Sequence, residues 1–247
     1  MRIIISPAKK MNARDDVLAP QGLPVFLPQA EELLGELRKL SPAALQKLWK
    51  CNEQIATLNF ERLQNMNLRR GLTPALLAYE GIQYQYMAPK VFTEAEFAYI
   101  QDRLRILSGF YGLLRPFDGV VPYRLEMQAT LHVGEANNLY QFWGDRLARA
   151  LLQETDCIVN LASKEYSQCI SAHLPEHVRF ITCVFAERKN GKLIEKGTLC
   201  KMARGEMVRY LAERQADSPE CLKGFEGQHH RFSPEESDAS TFVFVRE

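Results

Sequence analysis

RIIISPAKK (Arg2–Lys10) and CIVNLASKEY (Cys157–Tyr166) read as one device used twice. In each, a short apolar run, Arg2–Ile5 or Cys157–Leu161, has the composition of a buried strand. The first ends at Ser6-Pro7 and the second at Ala162-Ser163. Lysine follows both times, at Lys9 and Lys10 and again at Lys164. If the two strands are parallel neighbours, Ser6, Lys9, Ser163 and Lys164 meet at one rim of a sheet. Open sheets place their ligand crevices at such a rim. A lysine held there meets a phosphate, attacks a carbonyl as a nucleophile, or only solvates a loop.

Outward from these strands, the chain alternates helical and extended signals. Pro28–Leu40, Pro42–Lys50 and Asn52–Met66 read as helices, with Ser41-Pro42 as a cap and first-turn pair. Their expected core positions are Leu33, Leu37, Leu45, Leu48, Ile55 and Leu58. Ala75–Tyr79 and Tyr84–Met87 read as strands, or as a strand and a turn, around Gly81. Thr93-Glu94-Ala95-Glu96 fits a capping box that starts a helix running to about Leu104. Val178–Ala186 and Lys192–Glu195 form a hairpin closed at Asn190-Gly191. Thr198–Arg214 is a helix, and Thr241–Val245 a terminal strand. The expected fold is α/β in the mixed α+β sense, a single domain over 1–247 with a central mixed sheet flanked by helices.

The segment Leu107–Met127, LSGFYGLLRPFDGVVPYRLEM, bends repeatedly while carrying charge and large apolar side chains. Entered from a helix, Leu107–Leu113 is similar to the hairpin of helix-hairpin-helix DNA-binding elements. In those, glycines such as Gly109 and Gly112 let backbone N–H groups approach a phosphate. The alternative is a tight structural turn whose Phe110 and Leu113 fill the core. Arg115 and Arg124 offer planar forks for phosphate or carboxylate, and Asp118 and Glu126 either orient them or transfer protons. On an extended segment Arg124 and Glu126 share a face. Asp145, beside Trp143, is either a partly desolvated acid or base or a helix cap. Lys201 and Arg204 share a helix face with Arg209 at its edge, as a phosphate grip or a solvated stripe.

Composition bounds the function classes. The chain has 247 residues, 46% apolar and 25% charged, with a formal net charge of +1. No global field recruits nucleic acid, so any such binding needs a local patch. No run of about 18 apolar residues exists for a membrane helix, and the chain begins on a strand without a basic, apolar leader. A cytoplasmic location follows as the expectation. The six cysteines form no C-x-x-C pair and read as reduced. Metal binding is not indicated, because Pro175 separates His173 from His177 and His229-His230 lack ligands at a recognised spacing. Without a P-loop or G-x-G-x-x-G, no nucleotide cofactor is expected.

Taken together, ISPAK (Ile5–Lys9), LSGFYGLLRPFD (Leu107–Asp118), PYRLEM (Pro122–Met127), LYQFWGD (Leu139–Asp145), NLASKEY (Asn160–Tyr166) and KMARGEM (Lys201–Met207) resemble the YaaA family of bacterial peroxide stress proteins. The resemblance covers essentially the whole chain. It implies a cytosolic α/β protein of unusual fold, with a helix-hairpin-helix element and a basic cleft for duplex DNA. It also implies a role in surviving hydrogen peroxide, with less free iron and less oxidative damage. The chain departs from the family pattern at Lys10-Met11-Asn12, where Thr-Leu and a polar residue are more typical, and at Phe110, where leucine is commoner.

Residues and resemblance converge on Lys9, Arg115, Arg124, Lys164, Lys201 and Arg204 as a phosphate-binding cleft on duplex DNA, with Gly109 and Gly112 in the hairpin. The competing expectation is a glycosylase-like enzyme on nucleic acid or nucleotide. Lys9 would then be the nucleophile, and Asp145 or Glu126 the acid/base.

Overall fold

Apolar runs of four or five residues bounded by Ser, Gly and Pro are too short for helices, and the chain pairs them into a sheet. The computed structural model describes residues 1–14 and 18–246. Part of the irregular stretch expected between Met11 and Leu27 therefore lies outside the described residues. The chain begins with β1 (Arg2–Ile5) and the two-residue β2 (Lys10–Met11), then runs through α1 (Leu27–Arg38), α2 (Pro42–Trp49) and α3 (Glu53–Asn65). Short elements follow: β3 (Thr73–Pro74), α4 (Ala75–Ala78), β4 (Tyr79–Glu80) and α5 (Ile82–Met87). Next, α6 (Glu94–Arg103) feeds β5 (Leu104–Ser108), which doubles back as β6 (Gly112–Leu114) before β7 (Gly119–Val120). Then come α7 (Leu139–Trp143), α8 (Arg146–Leu152), β8 (Cys157–Leu161) and α9 (Lys164–Ser171). The chain closes with β9 (Arg179–Lys189), β10 (Lys192–Ile194), α10 (Gly197–Glu213), β11 (His230–Phe232) and β12 (Thr241–Arg246).

One mixed sheet orders its strands β11-β12-β9-β8-β1-β5-β6, with β10 paired to β9. The five inner strands β12, β9, β8, β1 and β5 are parallel, and the outer pairings are antiparallel. Numbered by chain order, the parallel strands run 2-1-3-4-5 from β5 to β12. The order therefore reverses between β1 and β8, which pair in register from Arg2↔Ile158 to Ile5↔Leu161. Ile3, Ile4 and Ile5 are fully buried, as expected of a strand covered on both faces. Helices α5, α6 and α10 pack on one another, and α8 on α9, flanking the sheet.

The capping box at Thr93 and Glu96 is present, Ser41 caps α2, and Asn190 and Gly191 close the β9–β10 hairpin with positive φ. Three expectations change. Ala75–Tyr79 and Tyr84–Met87 are mostly the short helices α4 and α5, because packing of α5 on α10 overrides their β-like composition. Ile55 and Leu58 are exposed, since α3 buries Ala56, Asn59 and Leu63 instead, positions three and seven apart on one face.

The third change concerns the glycine hairpin. The expected helix-hairpin-helix is instead the antiparallel β5–β6 hairpin, entered from α6. Gly109 and Gly112 are buried, and their glycine requirement is steric. A Cβ on Gly109 would lie 2.6 Å from the Leu125 carbonyl oxygen and 2.9 Å from the Glu126 carbonyl carbon. Gly112 has φ +73, and a Cβ there would sit 2.9 Å from Trp143 and Leu147. Phe110 and Leu113 fill the core. The hairpin thus presses against the backbone that carries Glu126.

Candidate functional site

The two strand-end serines meet as expected, and Lys9 borders the cleft beside them, whereas Lys164 is not among its lining residues. At the carboxyl ends of β1 and β8, the Ser163 backbone N–H donates to Ser6 Oγ at 2.8 Å, and the two hydroxyls lie 3.2 Å apart. Ser163 is the residue before α9, so the first turn of that helix opens here with its partial positive charge. Tyr84 donates to the Ser6 carbonyl at 3.1 Å and fixes the loop after β1. Around this junction lies a cleft of about 400 Å³, bordered by Lys9, Lys10, Gln83, Glu165, Lys201 and Arg204. It occupies the place where open α/β sheets bind ligands, outside the strand ends at the reversal of order.

Each cation reaches the cleft for a local reason. Lys201 and Arg204 are three apart on α10 and project from one face. The contact of α5 with α10 is set by Gly205, where a Cβ would lie 2.2 Å from the Gln83 carbonyl oxygen. Lys9 and Lys10 follow β1, and Gly81 lets that loop approach, a Cβ there lying 3.0 Å from Ala8 Cβ.

The charges are not equivalent. Lys10 Nζ pairs with Glu80 at 2.7 Å. Lys9 Nζ lies 3.4 Å from Glu126 Oε1, and Arg124 Nη2 lies 3.0 Å from the same oxygen. Arg124 and Glu126 are about nine-tenths buried and border a small recess behind Lys9 instead of the cleft itself, whereas Lys9 is 64% exposed. Lys201, Arg204 and Lys164 make no carboxylate ion pair among the described residues. Two buried donors at the cleft, Gln83 Nε2 and Arg204 Nε, have no acceptor.

Glu165 also borders the cleft; burial, followed by the nearby Glu126 charge, pushes its carboxyl above the usual range. Burial raises the phenols near the cleft: Tyr84, which borders it, and Tyr79 go well above their ordinary value, and Tyr123 to about 12. They stay neutral and serve as hydrogen-bond links, Tyr79 to Tyr123 at 2.8 Å and Tyr123 to Ser108 at 2.6 Å.

Four of the expected residues lie away from this region. Asp145 is half exposed and pairs with Arg149 at 3.0 Å; the neighbouring Trp143 indole turns inward to the Gly109 carbonyl, so the carboxylate is not desolvated. Gly109 and Gly112 are in the core. Arg115 stands at the other end of the sheet, because β6 runs antiparallel to β5 and carries the chain back toward the start of β1. There its Nη2 meets Glu154 at 3.3 Å, and Glu154 also accepts from Arg2 at 2.8 Å. The residues that sequence reading left out of the site are Gln83, Tyr84, Glu165 and Tyr166. The last two adjoin Ser163-Lys164 and were within reach of the same argument, but Gln83 carries no sequence signal.

Beside Arg115, burial pushes the Asp118 carboxyl up to about 6, against the opposing hydrogen bond from the Arg115 N–H. The native state then holds this proton more tightly than the unfolded chain does. Stability from Asp118 is full below about pH 4 and is lost as pH rises through about 6, by up to about 3 kcal/mol. Asp118→Asn keeps the acceptor without the charge. Denaturant melts should show it more stable than the parent at pH 8, with the difference vanishing by pH 4.

Fold and cleft together define an α/β protein with a cation-bearing crevice at a sheet switch point. A family model described as "Peroxide stress protein YaaA" matches residues 1–236. The chain is 50% identical over 246 residues to a UPF0246 protein of Agathobacter rectalis, spanning 100% of this chain and 99% of the relative. It is 52% identical to UPF0246 proteins of Lachnoclostridium phytofermentans and Desulfitobacterium hafniense, covering 100% of this chain and 96% and 98% of theirs. The chain belongs to the YaaA family of peroxide stress proteins. No described helix is long and apolar enough to cross a membrane.

Proposed function

We propose that the switch-point cleft binds the phosphate backbone of duplex DNA. In this reading the protein acts in the peroxide stress response by limiting iron-dependent oxidative damage on the DNA it occupies. The observation that carries the reading is the pair Lys201 and Arg204, cations without carboxylate partners among the described residues, which border the cleft with Lys9, while Lys164 opens α9 between the bordering Ser163 and Glu165. Unneutralised cations beside free helix-terminal N–H groups suit phosphate oxygens, and they supply affinity without reading bases. Arg124 contributes by holding Glu126, not by meeting phosphate, and Arg115 plays no part in this contact.

The test is fluorescence anisotropy on duplex DNA across a salt series. Each phosphate contact adds about 0.9 to the slope of log K against log salt. Lys201→Ala and Arg204→Ala should each flatten the slope by roughly 1 and weaken all sequences alike. Arg115→Ala should bind like the parent. A slope unchanged in both α10 variants would overturn the reading.

A second reading rests on Lys9 Nζ standing 3.4 Å from Glu126 Oε1, with Glu165 alongside. That is the arrangement of an amine nucleophile with carboxylates for proton transfer, as in a glycosylase-like enzyme. Lys9 would condense with the aldehyde of an abasic sugar, releasing water and leaving an imine that borohydride reduces to a stable adduct. A trapped adduct in the parent but not in Lys9→Ala would favour this reading over passive binding.

A further inference from the structure

At the end of β1 opposite the cleft, Arg2, Arg105 and Arg115 border a separate cavity of about 690 Å³, walled by Phe97 and Phe117. We propose that this cavity is a second ligand site, for a small organic anion that joins one carboxylate or phosphate headgroup to a flat apolar body. It is independent of the DNA reading.

Donors at this end of the sheet are unevenly supplied with acceptors. Arg105 lies in the middle of the sheet region on β5, with a side chain only 3% exposed. Its Nη1 donates to the carbonyls of Gln101, Asp102 and Leu104 at 3.3, 3.0 and 2.7 Å, closing the end of α6, and its Nη2 meets Glu154. Its Nε is buried and has no acceptor. A guanidinium is charged throughout the accessible pH range, so this donor cannot be silenced by losing a proton. Arg115 meets Glu154 through Nη2, and its side chain, more than half exposed, borders the cavity.

Among the described residues, carboxylates do not meet this demand. Glu154 is already shared by Arg2, Arg105 and Arg115, and Asp102 by Arg2 and Arg103. Asp118 gives its Oδ2 to the Arg115 backbone N–H, and Glu94 stands among the lining residues without an ion pair to these arginines. An anion bound beside Arg115 would take a fork contact from its exposed guanidinium, with the buried Arg105 and Arg2 adding positive charge behind it. The opposite wall has a different chemistry. Phe97 and Phe117 meet edge to face at 5.5 Å, and Leu18, half exposed, adds apolar surface. A bare inorganic anion would leave that wall wet, so the ligand carries a planar apolar body as well as a headgroup.

The test is calorimetric titration of the full chain with benzoate, 5′-AMP and inorganic phosphate. Benzoate or 5′-AMP should bind saturably at one per chain, and inorganic phosphate at least tenfold more weakly. Arg115→Ala, at an exposed position that leaves the fold intact, should raise the Kd at least tenfold. Arg115→Lys should recover little of it, because an ammonium does not reproduce the fork. Lys201→Ala, in the other cleft, should titrate like the parent. No saturable binding of benzoate or 5′-AMP up to about 10 mM, binding undiminished in Arg115→Ala, or an equal loss in Lys201→Ala would each overturn the assignment. Inorganic phosphate binding as tightly as both organic probes would overturn the claim that the ligand has an apolar body.

Discussion

Gly205→Ala should lower the melting temperature by roughly 5–10 °C and remove the contributions of Lys201 and Arg204 to DNA binding together. Within a helix, replacing glycine by alanine normally stabilises by about 1 kcal/mol. Here the added Cβ would lie 2.2 Å from the Gln83 carbonyl oxygen and 2.9 Å from the Met87 backbone nitrogen. Both are backbone atoms of α5, so no side chain can swing aside, and the two helices must separate. Overpacking of this kind costs about 1–3 kcal/mol and occasionally more, which outweighs the gain in propensity. The separation would also move Lys201 and Arg204 away from Gln83 and Ser163. Gly35→Ala in α1 is the control, since a Cβ there meets nothing within 4 Å. Thermal melts should show opposite signs for the two substitutions; a stabilised Gly205→Ala would mean that the α5–α10 contact is looser than described.

Much of the cleft could be read from sequence because it stands on strand ends. The runs Arg2–Ile5 and Cys157–Leu161 are apolar enough to demand burial. Once they pair in parallel, Ser6 and Ser163 meet without further information. The α10 cations were equally legible, since a helix places residues three apart on one face. What failed depended on contacts between distant segments. Whether α5 is helix or strand is decided by Gly205 on α10, more than 100 positions away, and without that contact Gln83 gives no hint of facing a cleft. Arg115 shares a segment with Arg124, yet the turn back at Gly109–Gly112 carries Arg115 toward the start of β1, and the stretch through β7 then returns the chain so that Arg124 lies near Lys9 at the other end. The charge on Arg105 inside the run Leu104–Ser108 was a visible signal, because a strand buries an arginine only where it finds partners. Those partners are the carbonyls of Gln101, Asp102 and Leu104 just before it and the carboxylate of the distant Glu154.

Glu126→Ala should destabilise the fold by about 3–5 kcal/mol, far more than a surface ion pair, because it strands a buried cation. Arg124 is 11% exposed, and its remaining contact is a long one from Nη2 to the Trp49 carbonyl at 3.5 Å. Its Nε already lacks an acceptor, so losing the carboxylate leaves most of the guanidinium unsolvated and unpaired. Replacing both partners by apolar residues, Arg124→Met with Glu126→Leu, removes the charge and its need together and should cost much less than the single change. A coupling energy of about 2 kcal/mol between the two sites, from denaturant melts of the cycle, is the expected result. A cost below about 1 kcal/mol for Glu126→Ala would mean that water reaches the pair. The same carboxylate restrains Lys9, and this separates its structural role from its role at the cleft. Glu126→Gln keeps the volume and an acceptor while releasing Lys9 from its ion pair. If Lys9 faces phosphate, the folded fraction of this variant should bind duplex DNA more tightly than the parent and with a steeper salt slope. If Lys9 and Glu126 instead act together on a substrate, binding should change little while borohydride trapping falls.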